Sequence, residues 1–380
     1  MESDPIHHNR KAMLDIMKTF PGLICGEQNP VGPAHPYWQY GNIVNGTKQI
    51  DPVLHFGCFV LGFQRTDIID YVCEHMKTKP EVAESFYCDD TLKLNDITWS
   101  LAERLHGMTG FNSIFALSGS DANEGAVKLA SAYQKQMGQT KRYRIVSFED
   151  SYHGSTFLNY SMGDSMLKDP FYTLRPYDSV KRLPRDFAVS EHDWSDVICV
   201  IVETCPYGDG LKPSSSEFWG KIKEIQQQGV LVIVDDIFIG GGKTGTVFGW
   251  QTLPITPDIT TQGKAITAGY FPLSITMYNK RIAEALPDKF NWDHGFTYSF
   301  SLPGILSCNK YLDILEQENI LQQHQSVIAK AHAIFAAQDY KVLGEYGTIL
   351  QIKRKKNKHF LVLPINATDE YFSVLEEHLR

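Results

Sequence analysis

The sequence is short of the features that mark several protein classes. Its seven cysteines in 380 residues are scattered, odd in number and without a Cys-x-x-Cys pair. That argues against a disulfide framework or a zinc knuckle and for a reducing compartment. No apolar run approaches the roughly 20 residues that span a bilayer. The opening MESDPIHHNRK is polar, without the apolar stretch of a signal peptide. Positive charge is scarce too: 36 Lys and Arg against 44 Asp and Glu give a formal net charge of −8. The one short basic cluster, Lys353 to Lys358, lies between two apolar segments and reads as a solvated hairpin, not a nucleic-acid footprint. The expectation is a cytoplasmic protein that engages neither membrane nor nucleic acid.

What is present is ordinary globular composition, with 43% hydrophobic and 21% charged residues, in a chain long enough for two domains. From about Thr91 helical and strand-like segments alternate. DITWSLAERLHGMTG, DANEGAVKLASAYQKQ and SEFWGKIKEIQQQG have helical periodicity. SIFALSG, RYRIVSFED, VICVIVE and VLVIVDD are short buried strands, followed by DITTQG and FPLSITMYN. Strands apolar throughout and separated by helices predict a mainly parallel sheet covered on both faces. Two long helices (Cys308 to Glu318, Gln323 to Gln338) then precede GTILQIKRKKNKHFLVLP, which reads as two strands joined by a basic turn. The expected fold class is α/β. A large domain spans 46–290, and a small α+β domain is built from 1–45 and 291–380.

The stretch VLVIVDDIFIGGGKTG invites a nucleotide-binding interpretation, which its details exclude. A P-loop needs a glycine where Ile237 stands. Gly240, Gly242 and Gly245 satisfy G-x-G-x-x-G, but TVFGWQTLP follows them instead of a helix, so no helix N-terminus meets a pyrophosphate. A glycine turn is the better interpretation. Ser118, Gly119 and Ser120, between a strand and a helix, are the better anion site, although Ser120 as a simple helix cap explains them too. Asp235 and Asp236 end a central strand, where α/β sheets place ligands. With no histidine or third carboxylate nearby, a cation on an organic cofactor competes with a metal, and simple capping explains the pair as well. Lys264, flanked by Gly263 and small apolar residues, is either a surface lysine or an amine with a depressed pKa.

Taken together and in this order, these segments resemble the class III, fold type I, pyridoxal-phosphate-dependent aminotransferases, from about Phe56 to Leu315. SGSDANEGAVKLA is similar to the family's phosphate-binding segment. SYHGST resembles the aromatic-His-Gly segment over the cofactor ring. VDDIFIGGGKTG, PDITTQGKAITAGYFPLS and HGFTYS match its remaining motifs. The resemblance implies pyridoxal 5'-phosphate as cofactor, no metal, and transfer of an amino group between a primary amine or amino acid and an oxo acid. It implies that Lys264 forms the Schiff base and moves the proton, and that Asp235 pairs with the pyridine nitrogen. Gly119 and Ser120 would hold the phosphate, Tyr152 stack on the ring, His153 pack beside it and Glu203 lie near the cofactor. Thr297 would reach the phosphate of a neighbouring subunit, which implies a homodimer. Phe56, Gly57 and Cys58 fall where the family lines its substrate channel. The same scaffold serves racemases, aminomutases and lyases, and a non-catalytic relative would keep it as well.

The sequence also departs from the family pattern. Phe238 replaces a glutamine common in the family, Lys243 replaces an arginine, and FSLPG follows HGFTYS. The C-terminal part offers no match for the arginine that grips a substrate carboxylate, and Arg354 in the basic turn is expected to be solvated. Tyr37 and Trp38 are either part of the entrance or an aromatic anchor.

Overall fold

The computed structural model describes residues 37–44, 47–78, 96–163, 178–206, 210–287, 290 and 292–380. The contribution expected from residues 1–36 lies outside them. The described chain opens with a small antiparallel sheet, β1 (Tyr37–Trp38), β2 (Gly41–Val44) and β3 (Thr47–Ile50). Helices α1 (Thr66–Thr78) and α2 (Asp96–Thr109) follow, then β4 (Asn112–Ala116), α3 (Gly119–Gln136), β5 (Arg144–Phe148), α4 (Phe157–Met162) and β6 (Val180–Leu183). Next come β7 (Val197–Glu203), α5 (Ser216–Gln227), β8 (Leu231–Asp235), β9 (Ile259–Gln262), β10 (Ser274–Tyr278) and α6 (Lys280–Ala285). The chain ends with α7 (Leu302–Gln317), α8 (Ile320–Ala337), the antiparallel strands β11 (Lys341–Tyr346), β12 (Ile349–Arg354) and β13 (Asn357–Val362), and α9 (Asp369–Leu379).

Strands β4 to β10 form one seven-stranded sheet in the order β4-β10-β9-β8-β7-β5-β6. Only β10 runs against its neighbours β4 and β9, so the sheet is mainly parallel, as the uninterrupted apolar strands predict. Every residue of β7 and β8 is buried. Helix α3 lays Ala126, Leu129, Ala130 and Tyr133, spaced three and four apart, over the sheet's Ile201, Ile233 and Ile259. Its alanines leave room for a close approach, which brings the helix start to the sheet's C-terminal edge.

Around β11–β13, a second core combines Leu350, Ile352 and Leu361 with Val327, Ala331 and Phe335 of α8 and with Tyr371 and Leu375 of α9. Trp38 belongs to this core. It is buried, donates from Nε1 to the Gln49 carbonyl at 2.9 Å and meets Tyr40 edge-on, so it is an anchor and not an entrance. The side chain of Tyr37 lies outside the described residues.

Several elements differ from expectation. Helix α7 starts at Leu302, because Pro303 sits in the first turn, where no N–H is needed. Helix α8 starts at Ile320, just after Asn319 breaks the chain with φ 50°. β6, β11 and α9 were not expected. Their alternation is diluted by charge, as in VKRL and KVLGEY. Arg354 is not simply solvated: it donates to the carbonyls of Leu379 and Arg380 and lies over the Tyr340 ring, tying the basic hairpin to the end of α9. No described helix is long and apolar enough to cross a membrane.

Candidate active site

A cavity of about 620 Å³ opens at the C-terminal edge of the large sheet. It is lined by residues that immediately follow five strands: Ser118 to Ser120 after β4, Tyr152 and His153 after β5, Glu203 ending β7, Asp235 ending β8 and Lys264 after β9. Parallel strands make this convergence automatic, because their carboxyl ends share one edge. Of the eight site residues read from the sequence, seven line this cavity. Thr297 does not. It is exposed, in a segment that His294 pins to the start of α3 through Asp121.

At the cavity floor, Asp235 Oδ2 accepts from Asn123 Nδ2 at 2.8 Å and from His153 Nδ1 at 2.9 Å, while Oδ1 accepts from the Ile237 N–H at 3.2 Å. Asn123 is itself fixed. Its second amide proton goes to the His153 carbonyl at 2.9 Å, and its Oδ1 accepts from Thr261 at 2.7 Å. The neighbouring Asp236 is fully buried among Thr204, Gln262 and the Gly249 N–H, away from the cavity lining, and burial pushes its pKa up to about 6. Asp236 is therefore structural.

One wall is the start of α3. Ser118, not Ser120, is the cap, accepting from the Asp121 N–H at 3.2 Å. The first-turn N–H groups of Gly119 and Ser120 are left for whatever occupies the cavity, with the Ser120 hydroxyl beside them. A Cβ on Gly119 would lie 2.9 Å from Ile237 Cδ1, and one on Gly154 would lie 2.2 Å from Ser120 Oγ. Only glycines let these three segments meet. The Tyr152 N–H donates to Glu203 Oε2 at 3.2 Å, and burial raises the Glu203 carboxyl to about 7.

Lys264 lines the cavity with φ 48°, a left-handed conformation that costs a side-chain residue roughly 1–2 kcal/mol. Burial depresses its pKa, and its Nζ stands 4.8 Å from the Phe238 ring centroid. The mouth is shaped by a turn in which Leu54, His55, Phe56 and Gly57 all have positive φ, from 46° to 75°. Asp51 accepts the Val53 and His55 N–H groups at 2.9 and 3.1 Å and stabilises this turn. The Phe56 side chain, 51% exposed, and Cys58 line the cavity.

The glycine turn holds no anion. Its Gly240, Gly241, Gly242 and Gly245 N–H groups are spent on backbone carbonyls within the same turn. Sequence reasoning missed Asn123 and Thr261 as parts of the site. Asn123 had a signal, three residues after Ser120 and so on the same helical face. Thr261 had none, since only the sheet brings it to Asn123.

These donors suit pyridoxal phosphate. The helix start with its unclaimed N–H groups matches a phosphate, Asp235 matches a ring N–H, and a lysine of depressed pKa matches a carbonyl carbon. Among the described residues no cluster has the makings of a metal site.

Comparison with known proteins agrees. The chain matches the Aminotransferase class-III family over residues 39–358. It is 27% identical over 306 residues to an uncharacterized aminotransferase of Sinorhizobium fredii, covering 72% of this chain and 64% of that one. An uncharacterized aminotransferase of Bacillus subtilis is 28% identical over 343 residues, 83% of this chain and 74% of that one. Among solved structures, an aminotransferase of Bacillus anthracis superposes with a TM-score of 0.78 at 19% identity, covering 99% of both chains. Motifs, cavity and family match together place this chain in the class III aminotransferases, which depend on pyridoxal phosphate.

Proposed function

We propose that Lys264 and Asp235 carry transfer of an amino group between a primary amine or amino acid and an oxo acid. The observation that carries this is their meeting in one cavity whose wall is an unclaimed helix start. When bound, the cofactor supplies an electrophilic carbon for the amine and an electron-accepting ring. Asp235, oriented by Asn123, His153 and the Ile237 N–H, receives the ring N–H. Gly119 and Ser120 would hold the phosphate. Tyr152 would stack on the ring, with His153 packing beside it and Glu203 nearby. Lys264, with its depressed pKa, would hold the cofactor covalently and, once freed, act as the base that moves the proton of the substrate's amine-bearing carbon.

Phe56, Ile237, Phe238 and Ile239 give the cavity an apolar wall, which favours an amine bearing an apolar group beside the reacting carbon. The exposed Phe296, Thr297 and Tyr298 suit a subunit boundary, and we include a homodimer in a reducing, cytoplasmic setting in the proposal. The division into a domain of residues 46–290 and a smaller one of 1–45 and 291–380 belongs to it as well.

The test is the visible absorbance of the purified protein with pyridoxal phosphate, before and after a panel of amines. A visible band that bleaches with one amine and returns with an oxo acid is the expected result. The Lys264→Ala variant should stay folded and show neither covalent attachment nor turnover. A band that forms and never bleaches would refute transamination, and a Lys264→Ala variant at the wild-type rate would refute the role of the lysine.

A further inference from the structure

Lys243 is the most deeply buried cation among the described residues, fully enclosed in the glycine turn, and the chemistry above does not use it. Lysines are rarely found without water around the amine. Here Nζ donates to the Gly57 carbonyl at 3.3 Å, across 186 positions of sequence. Its own carbonyl accepts from the Thr348 N–H at 2.8 Å and from His324 Nε2 at 3.0 Å. One residue thus ties the left-handed turn at the cavity mouth to the small sheet and to α8. Burial lowers its pKa to about 7. Lys264 adds to that shift and Cys58 and Asp236 oppose it. A Cβ on Gly57 would stand 3.4 Å from the Phe238 ring, the ring that faces Lys264, so the turn and the reactive amine share one packed neighbour.

We propose that Lys243 is a positioning residue, whose buried amine holds the Leu54–Gly57 turn by the Gly57 carbonyl and so sets where Phe56 stands above Lys264. The turn is held by Asp51 on its outer side and by Lys243 beneath. A left-handed run of this kind is not favoured locally, and besides its own backbone hydrogen bonds, from the Gly57 and Cys58 N–H groups to the Val53 and Leu54 carbonyls, these two side-chain grips hold it. Loss of the inner one leaves a buried carbonyl without its donor and frees the turn to move. The wall that meets the amine substrate then loosens, while the start of α3 and Asp235 keep their own partners. The kinetic part rests on the aminotransferase proposal; the structural part does not.

The experiment is Lys243→Met, which keeps length and removes the donor, studied by hydrogen exchange and by kinetics. In the cofactor-loaded protein, amides of residues 53–59 should exchange at least about tenfold faster, with other segments unchanged. The cofactor band and its affinity should match wild type. KM for the amine should rise about tenfold with kcat within about threefold, and the effect on KM should largely vanish in a Phe56→Ala background. Lys243→Arg, which retains a donor, should restore protection and KM. It carries the test if the methionine variant does not fold, since an arginine variant that folds yet exchanges fast would overturn the proposal. Unchanged protection in Lys243→Met, or an equal KM effect with and without Phe56, would also overturn it. Fast exchange in a protein that turns over no amine would support the grip by Lys243 and refute the aminotransferase proposal instead.

Discussion

The chain of hydrogen bonds from Thr261 through Asn123 to Asp235 makes a graded prediction. Asn123→Ala removes one of the three donors to Asp235, the 2.8 Å bond from Nδ2, along with the partners of Thr261 and of the His153 carbonyl. A hydrogen bond to a charged group contributes about 1.5–3 kcal/mol. If that orientation is needed when the substrate proton leaves, the step slows by roughly 10- to 150-fold. Thr261→Val removes only the bond that steadies Asn123, a neutral pair, and should cost about two- to tenfold. Asn123→Asp, the smallest change in shape, should be worse than alanine, since it sets a second carboxylate where an amide now lies 2.8 Å from Asp235. The assay is stopped-flow decay of the visible band with saturating amine, alongside melting midpoints to separate folding losses. Asn123→Ala within about threefold of wild type, or Asn123→Asp faster than Asn123→Ala, would refute the reasoning.

Glu203 makes a prediction about pH. Its carboxyl titrates near 7 in the folded protein, against the ordinary 4.5. The folded state therefore binds this proton more tightly than the unfolded chain does. The stability that comes with it is complete below about pH 4.5 and is lost as pH rises through 7. Glu203→Gln removes this titration, so the variant should gain on wild type between pH 5 and 8, by on the order of 3 kcal/mol, with no further gain at higher pH. Melting midpoints of the cofactor-free proteins across that range test it, and a difference that does not move with pH would count against it. At the helix start, Gly119→Ala puts a Cβ 2.9 Å from Ile237 Cδ1 and should weaken cofactor binding about tenfold. Adding the alanine to an Ile237→Ala protein should cost much less in a spectroscopic titration. Equal losses in both backgrounds would show that the close contact is not the cause.

The large sheet was legible because its strands, such as VICVIVE and VLVIVDD, are apolar throughout, and burial on both faces leaves no other pattern to read. The motifs around the cavity were legible for a related reason, since each begins on a single turn after a single strand. What escaped depends on contacts distant in sequence. β6 and β11 mix charge into their alternation, and pairing with neighbours, not their own pattern, makes them strands. The role of Lys243 was invisible because its partner Gly57 is 186 residues away. Asn123 could be suspected from helical spacing, but what it orients appears only when β8 and α3 are packed.

The two adjacent aspartates show where the limit lies. Asp235 and Asp236 are one residue type in one strand end, and sequence alone assigns both to the sheet edge where ligands bind. Alternation along the strand then separates them completely. Asp235 turns toward α3, where a helix start, an amide and an imidazole wait, and its second oxygen is left near the cavity. Asp236 turns the other way, onto Thr204, Gln262 and the Gly249 N–H, and fastens the glycine turn to the sheet. That fastening has a consequence for the site. The glycine turn it anchors is the segment that carries Lys243, and Lys243 in turn grips the turn beneath Phe56. So the aspartate that faces away from the cavity fastens the segment that grips the Phe56 turn, while its neighbour lines the cavity itself.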